Sequence, residues 1–303
     1  MINFSGKTFA IISIIAANVI YGLNYVIAKG VMPDYFSPKA IIFFRITGTI
    51  ALTLLFFFLF IKEKVEKKDF PRLILSSVFG IAINQIMFFE GLNLTTPIDA
   101  AIIMTVNPVL VLIFAFVILK EKITLLKIMG IAIGIAGAVL LITGKGELSF
   151  NSKTFTGNIL ILINATSFAI YLVIIKPLMK KYHPMTIMLW TFIFGFFITL
   201  PFTIEPVINS NFHDIPLKIW LGLAYIIVGA TFLGYLFYNY SLRVLSPTVV
   251  SFFIYLQPLF SSITTMIIFG EKPGIIDYFS ALLIFAGVWI VNIKHREKTN
   301  KLI

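Results

Sequence analysis

Two amide–proline pairs, Asn107-Pro108 and Gln257-Pro258, stand 150 residues apart, each inside a long apolar run. A proline within a helix removes one hydrogen bond and clashes with the carbonyl four residues back, here that of Met104 or Ile254. In a bilayer such freed backbone is tolerated only against protein or a water-lined cavity. Paired breaks at matching places point to a solute site at mid-membrane depth. Pro108 and Pro258 are therefore candidate gating breaks, and Asn107 and Gln257 candidate cavity groups. Packing kinks, with the amides bonded to neighbouring helices, are the structural alternative.

Polar stripes recur on other runs. Asn18, Tyr21 and Tyr25 fall at i, i+3 and i+7, one helix face, and Asn164, Ser167 and Tyr171 repeat that spacing. Asn84, Tyr235, Asn239, Ser251 and Tyr255 complete a set expected to line a cavity of amide and aromatic groups. Arg45 lies about 10 Å inside its run at 1.5 Å per residue. An ionisable group at such depth is a functional candidate: it would hold a substrate carboxylate or pair with Glu90, unless it snorkels to the interface. Glu90 and Asp99 flank a short turn and are the candidates for proton or ion coupling.

Other chemistry finds no support. The chain has no cysteine, and His183, His213 and His295 stand apart from other ligand types, so no metal site is expected. There is no glycine-rich phosphate loop, no serine–histidine pair and no carboxylate pair at a common depth. The expectation is no catalysis and no cofactor.

The elements that must position these residues follow from composition. Of 303 residues 59% are hydrophobic and only 12% charged, with mean hydropathy +1.00; a soluble domain carries about 25% charged residues. A soluble enzyme, a nucleic-acid-binding domain and a disordered chain are excluded. Ten apolar stretches are expected as helices: 8–28, 40–61, 73–89, 100–119, 128–143, 157–175, 185–204, 219–242, 247–270 and 278–293. The first is too long for a signal peptide and reads as a retained helix. With the N-terminus inside, 17 lysines and arginines fall in inner segments and 6 in outer ones. Both termini are then cytoplasmic, and the +11 charge faces anionic lipid.

The two halves resemble each other. Glu90-Gly-Leu-Asn-Leu-Thr-Thr-Pro97 aligns with Tyr240-Ser-Leu-Arg-Val-Leu-Ser-Pro247, and the same offset joins Glu121 to Glu271, Lys122 to Lys272 and Gly137 to Gly287. Earlier in each half an offset of 146 joins Asn18 to Asn164, Tyr25 to Tyr171 and Pro38 to Pro184. The expected fold is an all-α membrane protein of ten transmembrane helices, built as a five-helix repeat over 1–145 and an inverted one over 146–303. Gly130, Gly134 and Gly137 make a small-residue face suited to close helix packing. A monomer is the simplest state, with a dimer through that face left open.

The doubled pattern Gly91-Leu-x-x-Thr-x-Pro-x-x-Ala-Ala…Asn107-Pro108…Lys120-Glu-Lys and Ser241-Leu-x-x-Leu-x-Pro…Gln257-Pro258…Gly270-Glu-Lys, with Arg45, resembles the drug/metabolite transporter superfamily, specifically its ten-helix EamA-type permeases. The resemblance covers nearly the whole chain. One position departs from it: Glu90 stands where a small or aromatic residue is expected. The resemblance implies a secondary transporter of the bacterial inner membrane moving a small metabolite, an amino acid or related amphipathic solute, by alternating access. The rival reading is a non-transporting membrane protein, either a lipid-modifying enzyme or a signalling component.

Overall fold

The computed structural model describes residues 6–61, 63–143, 152–210, 212, 214–269 and 274–292. Expectations for His213, Glu271, Lys272, His295 and the C-terminal tail fall outside them. Among the described residues every regular element is helical. The chain runs α1 (Gly6–Val31), α2 (Pro38–Phe60), α3 (Lys67–Leu94), α4 in two pieces (Pro97–Met104 and Asn107–Leu119), α5 (Leu125–Thr143), α6 (Ser152–Lys181), α7 (Pro184–Ile208), α8 (Leu217–Val244), α9 in two pieces (Pro247–Phe252 and Leu256–Phe269, joined by a tight turn Phe253–Tyr255) and α10 (Ile275–Asn292).

By length and composition, α1, α2, α3, α6, α7 and α8 can each cross a membrane. The apolar parts of α4, α5, α9 and α10 are shorter: Asn107–Leu119, Leu125–Gly137, Pro247–Ser261 and Tyr278–Val291. For α4 the reason is the break at Thr105–Val106, immediately before Asn107-Pro108.

The repeated prolines have a local cause. Four helices open with a polar cap followed by proline, whose missing N–H is harmless in the first turn. The Ser37, Thr96 and Ser246 hydroxyls accept from the N–H groups of Ala40, Asp99 and Val249 at 3.2, 3.0 and 3.4 Å. His183 Nδ1 accepts from Met185 N–H at 3.2 Å. His183 is thus a helix cap.

Helix ends are closed by lysine as well as by caps. Lys29 Nζ donates to the carbonyls of Leu92, Asn93 and Thr95 at 2.8, 3.0 and 3.1 Å, at the C-terminus of α3. At the other end of the bundle Lys176 Nζ donates to Leu245 O at 2.7 Å and to Leu242 O, at the C-terminus of α8. Both satisfy carbonyls that a helix end leaves open and face the negative end of its dipole.

The extensive helix pairings are α1 with α8 and α9, α6 with α3 and α4, α2 with α7 and α8, α3 with α7, α4 with α9, and α5 with α10. Each joins the first half of the chain to the second. The set is unchanged when every helix is exchanged for the one five places away. The glycine face of α5 is covered by α10 and by Tyr255 of α9: a Cβ on Gly287 would lie 2.8 Å from Gly130 O and from Gly134 N. That contact answers what the face is for, since it is covered within one chain.

Candidate functional site: a cationic cavity between the halves

Two wide helical turns, Val78–Ile83 in α3 and Tyr225–Leu233 in α8, prepare the site. In such a turn the hydrogen bond reaches five residues back, and such turns recur at functional sites. Three backbone carbonyls in and just after the α3 turn serve side chains of other helices. Phe79 O accepts from Ser167 Oγ at 2.5 Å, Gly80 O from Tyr235 Oη at 2.7 Å, and Asn84 O from Asn164 Nδ2 at 2.8 Å. In the α8 turn the Thr231 hydroxyl donates to Ile226 O at 2.7 Å and accepts from Arg45 Nε at 2.6 Å.

These bonds orient the wall of a cavity of about 70 Å³. The first half supplies Tyr21, Asn24 and Tyr25 from α1, Arg45 from α2, Asn84 and Phe88 from α3, and Met104 from α4. The second half supplies Asn164 and Phe168 from α6, Tyr235 from α8 and Gln257 from α9. Arg45 is 5% exposed, which rules out the snorkelling arrangement. Its guanidinium carbon lies 4.6 Å from the centre of the Phe89 ring. Arg45 forms no ion pair with Glu90; Thr231 and Phe89 hold it instead. A buried cation without a carboxylate partner is costly, and here its free face belongs to a cavity wall.

Around that charge sit unused acceptors. Asn24 Oδ1 and Asn164 Oδ1 are buried with no hydrogen-bond partner among the described residues. Buried polar atoms are nearly always paired, so two orphan carbonyl oxygens beside one cavity mark it as a place for a donor. The wall thus offers a cation for an anionic group, acceptors for N–H or ammonium, and aromatic faces for an apolar one.

Seven of the sequence candidates meet here: Tyr21, Tyr25, Arg45, Asn84, Asn164, Tyr235 and Gln257. Others stand behind the wall. Gln257 Nε2 and Tyr238 Oη donate to Asn18 Oδ1 at 2.8 and 3.0 Å, and Tyr25 Oη donates to Gln257 Oε1 at 3.3 Å. Tyr171 Oη donates to Asn239 Oδ1 at 2.8 Å. Ser167 braces the α3 turn. Asn107 Nδ2 donates to Ala165 O at 2.6 Å, tying the α4 break to α6.

A third group lies away from the cavity wall. Ser251 Oγ donates to Thr248 O at 2.8 Å in its own turn. Tyr255 packs against α5, where a Cβ on Gly134 would meet its ring at 2.5 Å. Pro108 and Pro258 are buried at the two breaks, and Glu90 is half-buried. Asp99 is buried near Thr95, whose hydroxyl lies 3.4 Å from Asp99 Oδ2. The sequence reading missed Asn24, Phe88, Met104, Phe168 and Thr231. Asn24, three residues after Tyr21, had the spacing to be found; the apolar residues carried no polar signal.

Among the described residues an all-helical bundle carries a polar cavity walled by both halves of the chain, and comparison with known proteins shows the class, a multi-pass membrane transporter. The EamA-like transporter family matches residues 8–143 and again 155–293, so the chain belongs to that family, within the drug/metabolite transporter superfamily. It is 28% identical over 283 residues to YyaM, an uncharacterized transporter of Bacillus subtilis, with 91% of each chain covered. It is 22% identical to a probable terminal-alkyne amino-acid exporter of Streptantibioticus cattleyicolor, over 76% of this chain and 75% of that one. A solved crystal structure shares the fold with TM-score 0.76 at 15% identity, covering 95% of this chain and 97% of the other.

Proposed function

We propose that this transporter is a secondary permease of the bacterial inner membrane for a small zwitterion, an amino acid or related amphipathic solute. The observation that carries the reading is Arg45, buried without an ion-pair partner among the described residues, in one cavity with the orphan oxygens of Asn24 and Asn164. A carboxylate would meet Arg45, an ammonium would meet the amide oxygens, and an apolar side chain would lie on Tyr21, Phe88 or Phe168.

The mechanism is alternating access between two inverted five-helix repeats, 1–145 and 146–303, in a ten-span bundle with both termini cytoplasmic. Several observations support the repeat. The family model matches twice, the helix pairings exchange with each other, the wide turns of α3 and α8 overlap when the chain is shifted by 150 residues, and Pro108 and Pro258 beside the two breaks are 150 residues apart. A cavity of about 70 Å³ is far below the roughly 300–1,000 Å³ of a ligand site, so substrate enters when the halves part. Glu90 and Asp99 are the carboxylates proposed for coupling to a proton or cation.

The test is transport by purified protein in liposomes, with labelled amino acids and nucleosides, with and without a pH gradient. Saturable amino-acid flux that falls with Arg45→Ala is expected. Flux confined to solutes lacking a carboxylate would overturn the substrate class.

A further inference from the structure

Two contacts cross between the halves beyond opposite ends of α2, a helix of 23 residues and so about 35 Å long. They occupy corresponding places. Phe36-Ser37-Pro38 opens α2 and Tyr182-His183-Pro184 opens α7, at the offset of 146, and Ser37 and His183 are both caps. The residue before the cap differs: phenylalanine in one half, tyrosine in the other.

Phe36 is 1% exposed. Its ring centre lies 5.5 Å from that of Trp220 at the start of α8, 6.1 Å from that of Phe212 in the α7–α8 connection and 5.9 Å from that of Phe44 in α2. Rings at such separations attract one another without any net charge.

Tyr182 meets charged groups instead. Its hydroxyl accepts from Glu66 N–H at 3.0 Å and donates to Asp69 Oδ2 at 2.7 Å. Beside it Lys181 Nζ reaches Glu66 Oε1 and Asp69 Oδ2 at 2.7 and 2.5 Å, and Glu63 Oε2 accepts from His183 N–H at 2.9 Å. The partners have changed along with the tyrosine. At the offset of 150 Asp69 corresponds to Ile219 and Glu66 to Pro216. The rings behind them are kept: Trp190 and Phe70, which correspond to Phe44 and Trp220, lie 5.0 Å apart. One aromatic frame is thus finished with charged groups at the Tyr182 end and with further rings at the Phe36 end.

Each contact joins one half to the other, so each must part when its own end of the bundle opens. Salt acts on them unequally. The Debye length falls from about 10 Å at 0.1 M to about 3 Å at 1 M, which weakens the part-exposed charges around Tyr182, whereas ring contacts carry no charge to screen.

We propose that the two ends are latched by different chemistry, charge around Tyr182 and apolar rings around Phe36, so that ionic strength on the Tyr182 side shifts which end opens. The proposal rests on the alternating-access reading and topology above, which make that side cytoplasmic.

The test places spin labels on cysteine pairs in the full chain, which has no cysteine of its own. Lys64 with Val244 reports the Tyr182 end and Tyr35 with Lys218 the Phe36 end, all at exposed positions. Distances are measured in lipid nanodiscs at about 0.1 and about 1 M potassium chloride. The open fraction at the Tyr182 end should rise roughly two- to fivefold at high salt, with no rise at the Phe36 end. Lys181→Met should do at low salt what high salt does, and Lys181→Arg, which keeps the charge, should not. Phe36→Ala should open its own end at either salt and lower the open fraction at the other. If that variant does not fold, Phe212→Ala, at a part-exposed ring, serves. An equal salt response at both ends, or none at the Tyr182 end, would overturn the latches. If the phenylalanine variant opens its end with no fall at the other, alternating access fails, while the charged latch read from salt and Lys181 stands.

Discussion

Gln257 donates its amide N–H to Asn18 Oδ1 across 2.8 Å, so the α9 break is tied to the middle of α1. Tyr25 and Tyr238 complete the cluster at 3.3 and 3.0 Å. Removing one partner strands the rest in a buried place, at about 1–3 kcal/mol, whereas removing both can be nearly neutral. Gln257→Leu and Asn18→Leu should each lower the midpoint of thermal unfolding. The double variant should lose clearly less than the sum. Strict additivity in that cycle would show that the two amides do not act on each other.

Arg45 is expected to govern affinity for the carboxylate of the substrate. Arg45→Ala should reduce kcat/KM by tens of fold or more, the scale on which losing a buried charged hydrogen bond acts. Arg45→Lys should recover only part. A point charge cannot donate to Thr231 and lie flat over Phe89 while presenting a fork to the cavity. Thr231→Val should give a smaller loss. Equal kinetics for Arg45→Ala and parent in liposomes would remove Arg45 from the site.

The two helix breaks should matter for opposite gates. Pro108→Ala lets α4 close its ladder, and Pro258→Ala does the same for α9. Each should slow turnover more than it weakens equilibrium binding, since the step affected is conformational. A cysteine at Tyr21, added to a chain that has none, reports the facing state by its labelling from each side. The two alanine variants should shift that labelling in opposite directions. Identical labelling in both would reduce the prolines to packing kinks.

Gly287→Ala should be strongly destabilising. Its Cβ would meet backbone on Gly130 and Gly134 at 2.8 Å, and backbone cannot turn aside as a side chain does. Overpacking of this kind costs about 1–3 kcal/mol. The check is the unfolding midpoint in detergent, against Gly30→Ala, where nothing lies within 4 Å.

At the basic end Glu66 and the exposed first turn of α3 are clasped to the end of α6. Lys181 Nζ lies 2.5 Å from Asp69 Oδ2 and 2.7 Å from Glu66 Oε1, and Tyr182 Oη donates to Asp69 at 2.7 Å. Hydrogen bonds from Lys181 and Tyr182 hold the Asp69 carboxyl below its usual range, and those from Lys181 and Lys68 do so for Glu66. A lowered carboxylate contributes fully above its unfolded value, near 4, and its contribution disappears as pH falls through the lowered one. Hydrogen exchange in residues 63–69 should therefore rise, after correction for intrinsic rate, below about pH 4. Lys181→Met should produce the same loosening at neutral pH.

Much of the cavity was legible because polar residues in apolar runs are conspicuous. Asn18, Tyr21 and Tyr25 share a face that could not be spent on lipid, and the proline pairs located both breaks. The wide turns of α3 and α8 were not legible. No proline or glycine pattern is needed to slip a helix by one residue, and the partners that make the slip tolerable, Ser167 and Tyr235 for α3 and Arg45 for α8, lie far away in sequence. Ser251 misled for a local reason: a helical serine can satisfy itself on the preceding turn. Glu90 and Arg45 looked like partners by depth alone, but the helix rotation that sets which residues face each other is not written in spacing.

Every extensive helix pairing joins the first half of the chain to the second, and this sets a problem of timing during synthesis. When the ribosome finishes α5, the faces of α1 to α5 that will meet α6 to α10 have no partner. At about 5–20 residues per second, the remaining ~150 residues take roughly 8–30 s to appear. Through that interval the helices of the first half must be kept from pairing wrongly with each other or with neighbouring nascent chains. The buried amides of Asn18 and Asn107 and the cation of Arg45 are then the groups most in need of shelter, since their partners Gln257, Ala165 and Thr231 have yet to be translated. A need to shelter these groups until the second half has been made is thus a consequence of where the halves meet.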